Sequence, residues 1–89
     1  SPGKFSLEQN FPNQFNPVTH FQFAIAYDEF VSLRIYDVLG REVANLVDGQ
    51  RRAGTYLIRW DASNFSSGVY FYSLRAGEYV ETKKLVLTK

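Results

Sequence analysis

The chain has 89 residues, a net charge of +1 and no cysteine. Its length suffices for one domain with one core, and its 45% hydrophobic content excludes a disordered tail. The small net charge gives no field to attract nucleic acid, no apolar run is long enough to cross a bilayer, and no disulfide can form, so stability must come from packing.

The first part of the chain combines a short strand, a turn region and a longer strand. Residues 5–9 predict a short strand at a sheet edge. The segment 10–17 holds three Asn and two Pro, which predicts structured turns, and we expect its Phe11 and Phe15 to plug one end of the fold. Residues 18–26 alternate between apolar and polar side chains, which indicates a half-buried strand.

The middle of the chain predicts a hairpin. Residues 31–36 alternate again, and Asp37-Val38-Leu39-Gly40 supplies turn residues, with glycine at the left-handed position. Residues 41–47 form the return strand, whose alternation slips at Leu46, so we expect a β-bulge there. The polar segment 48–54 is predicted to be a loop.

The last part predicts three strands. Residues 55–61 place Trp60 on an apolar face. Residues 66–74 carry large apolar side chains on both faces, so we expect packing on each side of this strand. A turn at Gly77 then leads into a last strand over residues 79–88.

About seven short strands separated by turns are typical of an immunoglobulin-like sandwich. No segment has a helical period, so parallel βαβ units are excluded. The fold class is therefore predicted as all-β, an immunoglobulin-like antiparallel β-sandwich without helices. A small barrel is the alternative topology.

The residues give no sign of catalytic chemistry. The sole histidine, His20, has no carboxylate or cysteine at ligand spacing, which argues against a metal or a catalytic role. The aspartates fall in or beside predicted turns, where Asp is common for conformational reasons, and phosphate-binding glycine loops are absent. We expect no enzyme activity and no cofactor.

Four stretches, taken in order, form a recognisable set. Residues 7–19 read LEQNFPNQFNPVT, residues 31–43 read VSLRIYDVLGREV, and residues 53–61 read AGTYLIRWD. Residues 67–72 read SGVYFY and residues 84–89 read KLVLTK. The set resembles the motifs LxQNxPNPFNPxT, VxLxIYDxxGRxV, AGxxxxxWD and SGVYFYxL…KMxLxK of the type A C-terminal sorting domains of the type IX secretion system.

The chain departs from the family pattern at a few loop and surface positions. Gln14 stands where Pro is usual, His20 and Phe21 where Thr or Ile is commoner, and Ala26-Tyr27 where Leu-Pro is usual. These departures bear on loop geometry. The Ig-like domain of the flagellar hook-capping protein is similar in the same stretches.

The resemblance implies a non-catalytic delivery role. Such domains end large exported proteins of Bacteroidota and related bacteria, so we expect residues 1–4 to be the end of a linker from an N-terminal cargo and residues 5–89 to be the sorting domain. The cargo would cross the inner membrane, and the type IX outer-membrane translocon would recognise the folded domain in the periplasm. A sortase-like peptidase would then cleave before the domain and attach the cargo to surface lipopolysaccharide.

The implied location is therefore secreted or on the outer-membrane surface. We further expect a monomer that neither inserts into a membrane nor binds nucleic acid.

The positions matched to the family supply candidates for the sorting signal, which are Gly68, Val69, Tyr70, Lys84, Leu85, Val86, Leu87 and Lys89. We expect the last strand to be an accessible edge that a partner can extend by β-augmentation, with Lys84 and Lys89 offering charges. For Lys84, protection of the edge against aggregation is an equally weighted explanation.

Two rival functions remain open from the sequence. A carbohydrate-binding module of a secreted hydrolase could use Tyr36, Tyr70, Tyr72 and Tyr79 as a flat aromatic platform, although strand tyrosines more often form packing pairs. A structural immunoglobulin-like accessory module is the other alternative.

Overall fold

The computed structural model describes residues 3–88, and within this range it contains eight β-strands and no helix. It follows that no helix in this range could span a membrane. In chain order the strands are β1 (Ser6–Leu7), β2 (Gln14–Phe15), β3 (Val18–Ile25), β4 (Glu29–Tyr36), β5 (Glu42–Arg51), β6 (Gly54–Asp61), β7 (Gly68–Ala76) and β8 (Tyr79–Leu87).

The strands form two separate sheets rather than a closed barrel. One sheet has the order β1-β3-β6, and the other has the order β2-β8-β7-β4-β5. Sequence neighbours β3 and β4 lie in different sheets, as do β5 and β6, which is the crossing pattern of an immunoglobulin-like sandwich. All pairs are antiparallel except β2 with β8, which is parallel and was not predicted.

The core lies between the sheets and follows the period-two pattern of the sequence. Side chains at alternate positions of each long strand point inward, because successive residues of a strand face opposite sides. The hydroxyphenyl ring of Tyr72 on β7 is fully buried, with its centroid 4.6 Å from that of Phe21 on β3. Trp60 on β6 is buried as predicted and contacts both Phe15 and Phe21.

Three details confirm the sequence predictions. β1 lies at the edge of the three-stranded sheet, where it pairs only with β3. The pairing of β4 with β5 shifts register between Leu33, opposite Val47, and Arg34, opposite Asn45, so Leu46 is the extra residue of the expected bulge. Gly40 has a φ of 82°, as its position in the hairpin loop requires.

The expected position of Phe11 was wrong. Phe15 is buried against Trp60, but 46% of the surface of Phe11 is exposed. Phe11 instead stacks on His20, on the outer face of the three-stranded sheet, with ring centroids 5.7 Å apart. The cause is a single β-bridge between Phe11 and His20, which directs the side chain of Phe11 away from the core.

The loop predicted over residues 48–54 was also wrong. β5 continues to Arg51, and only Arg52 and Ala53 separate it from β6. The extension pairs with the start of β4, from Val31 opposite Gly49 to Glu29 opposite Arg51. A neighbouring strand edge thus overrides the weak strand propensity of this polar segment.

The strand over residues 66–74 does not pack equally on both faces. Its inward side chains enter the core, whereas Val69, Phe71 and Ser73 are half-buried on the outer face of the sheet. Within residues 3–88 every strand belongs to one of two layers, so no third layer covers that face. Phe71 is flanked there by its cross-strand neighbours Tyr36 and Lys84.

Candidate functional site

The two segments that supply most of the candidate signal lie side by side. β7 and β8 are antiparallel partners, and their register places Gly68 opposite Leu87. Tyr70 likewise lies opposite Leu85, and Val69 opposite Val86 completes the run of three cross-strand pairs. The sequence positions matched separately at the start of β7 and the end of β8 therefore form one patch at one end of the sandwich.

Burial divides this patch into a core side and an accessible side. Tyr70, Leu85 and Leu87 point inward and are buried. Tyr70 also donates a hydrogen bond of 2.7 Å to the carbonyl oxygen of Ser66, which fixes the loop before β7. These three side chains hold the strand pair together and are not available to a partner.

The accessible side consists of Gly68 and Lys84, which are exposed, and of Val69 and Val86, which are half-buried on the outer face of the sheet. Lys89 lies outside the described residues. The charge that the structure places in this patch is therefore that of Lys84.

The expectation that β8 is an edge strand was wrong for its last residues. β2 pairs with β8 in parallel, with Gln14 opposite Val86 and Phe15 opposite Leu87. The amide of Thr88 donates to the carbonyl oxygen of Phe15 at 2.9 Å, which continues this pairing. Within residues 3–88, β2 is the strand on the side of β8 that faces away from β7, and it pairs with Val86 and Leu87. The edge of β8 before Lys84 therefore has no paired strand on this side.

Hydrogen bonds from residues 8–10, just before β2, fasten the N-terminal part of the chain to β7 and β8. Asn10 is buried, and its backbone amide donates to the hydroxyl of Tyr72 at 2.8 Å. The same hydroxyl donates to the carbonyl oxygen of Glu8 at 2.9 Å. The side-chain amide of Gln9 donates to the carbonyl oxygen of Lys84 at 2.8 Å.

Sequence reasoning missed this fastening, because its partners lie more than sixty residues apart in the chain. Burial raises the pKa of the Tyr72 hydroxyl to about 12, so this group stays neutral and keeps both bonds at ordinary pH.

At the opposite end of the sandwich, the N-terminal part of the chain packs against the start of β8. The ring of Phe5 stacks on Tyr79 at 5.6 Å and meets the edge of Tyr27 at 5.0 Å, measured between ring centroids. Tyr79 donates a 2.6 Å hydrogen bond to Glu81. Burial, reinforced by this bond, raises the pKa of Tyr79 to about 12, and the same bond lowers the pKa of Glu81. The start of β8 is thereby held close to the first strand.

A cleft of about 440 Å³ opens beside the patch, between the loop that joins β4 to β5 and the segment that leads into β7. We call this surface the hairpin cleft; its lining includes Val38, Leu39, Arg41, Phe65 and Val69. The loop carries Val38 and Leu39 at its tip, both strongly exposed. Two of the sequence motifs, the one around Asp37 and the one around Gly68, therefore meet at this cleft.

The aromatic platform of the rival carbohydrate hypothesis does not form. Tyr70 and Tyr72 are buried in the core, whereas Tyr36 lies on the outer face of the five-stranded sheet. Tyr79 stacks on Phe5 at the end of the sandwich. The four rings therefore cannot share one flat surface, because they belong to opposite faces of the sheet.

Metal-binding chemistry has no obvious site in the part of the chain that the structure describes. Residues 3–88 contain no group of three or more His, Cys, Asp or Glu side chains that could hold a metal ion. His20 is half-buried on the outer face of β3, where Phe11 covers one side of its ring.

Comparison with protein families places the chain among known sorting domains. The model of a family described as "Secretion system C-terminal sorting domain" matches residues 11–88. That range contains β2 to β8 and therefore the patch, the pairing of β2 with β8 and the hairpin cleft. No match was found among curated proteins.

Proposed function

Because the chain belongs to the family of secretion-system C-terminal sorting domains, we propose that it directs an attached N-terminal cargo through the type IX outer-membrane translocon. The observation that carries this proposal is the family match over residues 11–88. The family is one of sorting signals for type IX secretion, and its role is export to the cell surface or to the medium. In this proposal the domain performs no catalysis and needs no cofactor.

The geometry of the sandwich supports this role. The chain enters beside Phe5 and Tyr79, and β8 finishes beside Gly68 at the opposite end. A cargo joined through residues 1–4, the proposed linker, would therefore emerge away from the signal patch. The proposed sorting domain, residues 5–89, could then be read by a partner without the cargo covering it.

Within this proposal the candidate signal residues have two kinds of role. Lys84 and Gly68 are exposed and would contact the translocon, with Val69 and Val86 beside them. Tyr70, Leu85 and Leu87 are buried and would act by keeping β8 in place. Lys89 is proposed to add a second positive charge to the signal. Partner strand addition would use the edge of β8 between Tyr79 and Lys84, which does not pair with β2 and is contacted at its two ends by Phe5 and Gln9.

We propose that the exported protein reaches the translocon from the periplasm. A sortase-like peptidase would then cut in the linker before residue 5 and join the cargo to surface lipopolysaccharide. The domain itself acts as a monomer in this scheme, with no nucleic acid partner and no insertion into the membrane.

The test is a secretion assay with point substitutions rather than a terminal deletion. Removing residues 85–89 would delete Leu85 and Leu87, which are both buried in the core, and would confuse unfolding with loss of the signal. We therefore compare a cargo reporter fused to the wild-type domain with fusions carrying Lys84→Glu or Lys89→Ala in a type IX-competent host. Arg59→Glu, an exposed charge reversal on the other sheet, is the matched control.

The expected result is less surface or secreted reporter for the Lys84→Glu and Lys89→Ala fusions, with unchanged export for Arg59→Glu. Thermal melting of the purified variants should match the wild type, because Lys84 is exposed and its side chain makes no ion pair within residues 3–88. Export of Lys84→Glu and Lys89→Ala at the wild-type level would remove both lysines from the signal.

A further inference from the structure

The hairpin cleft has features of a docking surface that the candidate signal residues do not account for. The tip residues Val38 and Leu39 have 67% and 73% of their surface exposed, although both are apolar. Isolated exposed apolar residues are common on protein surfaces and need no explanation. Here, however, two adjacent apolar side chains project beside a recess that is itself lined by Phe65 and Val69.

The tip is held rigid by its own hydrogen bonds. One oxygen of the Asp37 carboxylate accepts bonds from the backbone amides of Leu39 at 2.9 Å and of Arg41 at 3.0 Å. The other oxygen accepts a 2.8 Å bond from Nε of Arg41. These bonds from Arg41 and Leu39 lower the pKa of the Asp37 carboxyl, so it stays ionised and keeps the loop closed. A loop already fixed in one shape loses little conformational entropy when a partner binds it.

The cleft also offers hydrogen-bond donors to a partner. The charged residues among the described lining are Arg41 and Asp37, which form an ion pair with 2.8 Å between Nε and the carboxylate oxygen, and the side chain of Arg41 is 72% exposed. The Arg41 side chain bonds Asp37 through Nε alone. Its terminal Nη groups make no hydrogen bond within residues 3–88 and can donate to a partner. A carboxylate is the group that such guanidinium donors fit best.

We propose that the hairpin cleft docks a partner protein of the secretion machinery that presents an apolar side chain next to a carboxylate. The apolar side chain would enter the recess between the Val38-Leu39 tip and Phe65, and the carboxylate would bind the Nη groups of Arg41. The proposal rests on the sorting function proposed above, since it assigns a contact surface to that function.

Two observations favour a protein over a lipid surface as the occupant. The recess is a bounded cleft of about 440 Å³, whereas a membrane would contact a wider apolar area. The described lining also holds a single cation, Arg41, rather than the cluster of basic residues that attracts anionic lipid headgroups. The cleft further lies at the end of the sandwich away from Phe5, where a cargo would leave it open.

The experiment uses the full chain fused to a cargo reporter in a type IX-competent host. Leu39→Asp places a charge on the tip, and Leu57→Asp is the matched control, because Leu57 is 58% exposed on β6 in the other sheet. We expect Leu39→Asp to lower export about tenfold or more, the factor that corresponds to losing the burial of one leucine side chain. Leu57→Asp should export like the wild type, and both variants should melt at the wild-type temperature.

The charge is tested by a second pair of variants. Arg41→Glu should repel the partner carboxylate and lose export, whereas Arg41→Lys, which keeps a cation but not the guanidinium fork, should lower export less than Arg41→Glu does. Both variants lose the Nε bond to Asp37, so thermal melting of each checks that the domain still folds. Normal export of Arg41→Glu would overturn the assignment of a carboxylate.

The other outcomes separate the two proposals. If removal of residues 5–89 does not reduce export, the sorting function itself fails. If that removal abolishes export but Leu39→Asp exports normally, only the cleft proposal fails, and an equal loss for Leu57→Asp overturns it too. Cosedimentation of the purified protein with phosphatidylglycerol vesicles, if Leu39→Asp abolished it, would assign the tip to a lipid surface instead.

Discussion

The hydroxyl of Tyr72 is the best place to test how the N-terminal segment is fastened to the terminal strands. Tyr72→Phe keeps the buried ring and its contact with Phe21 but removes the one atom that bonds both Asn10 and Glu8. The substitution therefore isolates two hydrogen bonds without opening a cavity. Any loss of stability reports on the fastening itself.

The size of the loss follows from where the two partners lie. Asn10 is 1% exposed, so its amide cannot find water once the hydroxyl is gone, and an unsatisfied buried donor costs about 1–3 kcal/mol. Glu8 is exposed, so water can replace the bond to its carbonyl oxygen at little cost. We expect a decrease in the free energy of unfolding of about 2 kcal/mol, which for a domain of this size lowers the melting temperature by about 8–16 °C.

The assay is urea denaturation with hydrogen exchange of the backbone amides, and Tyr36→Phe is the control. The Tyr36 hydroxyl lies on the outer face of β4 and makes no hydrogen bond within residues 3–88, so its loss should change stability by less than about 0.5 kcal/mol. In Tyr72→Phe the amide of Asn10 should also exchange faster. Wild-type stability for Tyr72→Phe, or an equal loss for Tyr36→Phe, would refute the reasoning.

Two further predictions concern pH and glycine. Burial raises the pKa values of Tyr72 and Tyr79 to about 12, so the stability that their neutral forms provide is complete below the ordinary value of 10.0 and is lost as the pH rises towards 12. Urea midpoints should fall over that window, and phenolate absorbance should show two tyrosines that ionise late; ionisation of all tyrosines near 10 would contradict this. Gly40→Ala, with φ of 82° and no atom within 4 Å of the new Cβ, should cost about 1–2 kcal/mol from backbone strain alone. Gly77→Ala should cost a similar amount by thermal melting, because Gly77 has a φ of 62° and its Cβ would meet only the flexible end of the Glu29 side chain, and an unchanged melting temperature for either variant would be the contrary result.

The local alternation of apolar and polar residues was sufficient to predict the long strands and their inward faces. The alternation over residues 31–36 places Val31, Leu33 and Ile35 on one side, and all three are fully buried. This works because the side-chain period of a strand is two whatever its partners are. The turn over residues 37–40 was predictable for a similar reason, since the bonds of Asp37 and the left-handed φ of Gly40 are made within the loop.

Features that depend on a partner far away in the sequence could not be predicted from local patterns. β2 is only two residues long and exists because β8 lies beside it. The end of β5 is a strand because the start of β4 offers it an edge. Phe11 faces outward because a bridge to His20 turns it, although its apolar character indicates burial.

The same division applies to the candidate signal. The ordered motifs of the sequence were enough to indicate the sorting family, and the match over residues 11–88 shows it. They could not separate Leu85 and Leu87, which are buried, from Lys84, which is exposed, because a motif records residue identity and not direction.

The sequence by itself determined the all-β class, the inward faces of the long strands and the family, because each of these depends on residue order and on a local period. Only the tertiary structure decided that β2 covers the end of β8, that Asn10 and Tyr72 fasten the first segment to the last strands, and that two motifs meet at the hairpin cleft. Such contacts join residues far apart in the chain, and their geometry is set by the packing of the two sheets, which no local pattern encodes.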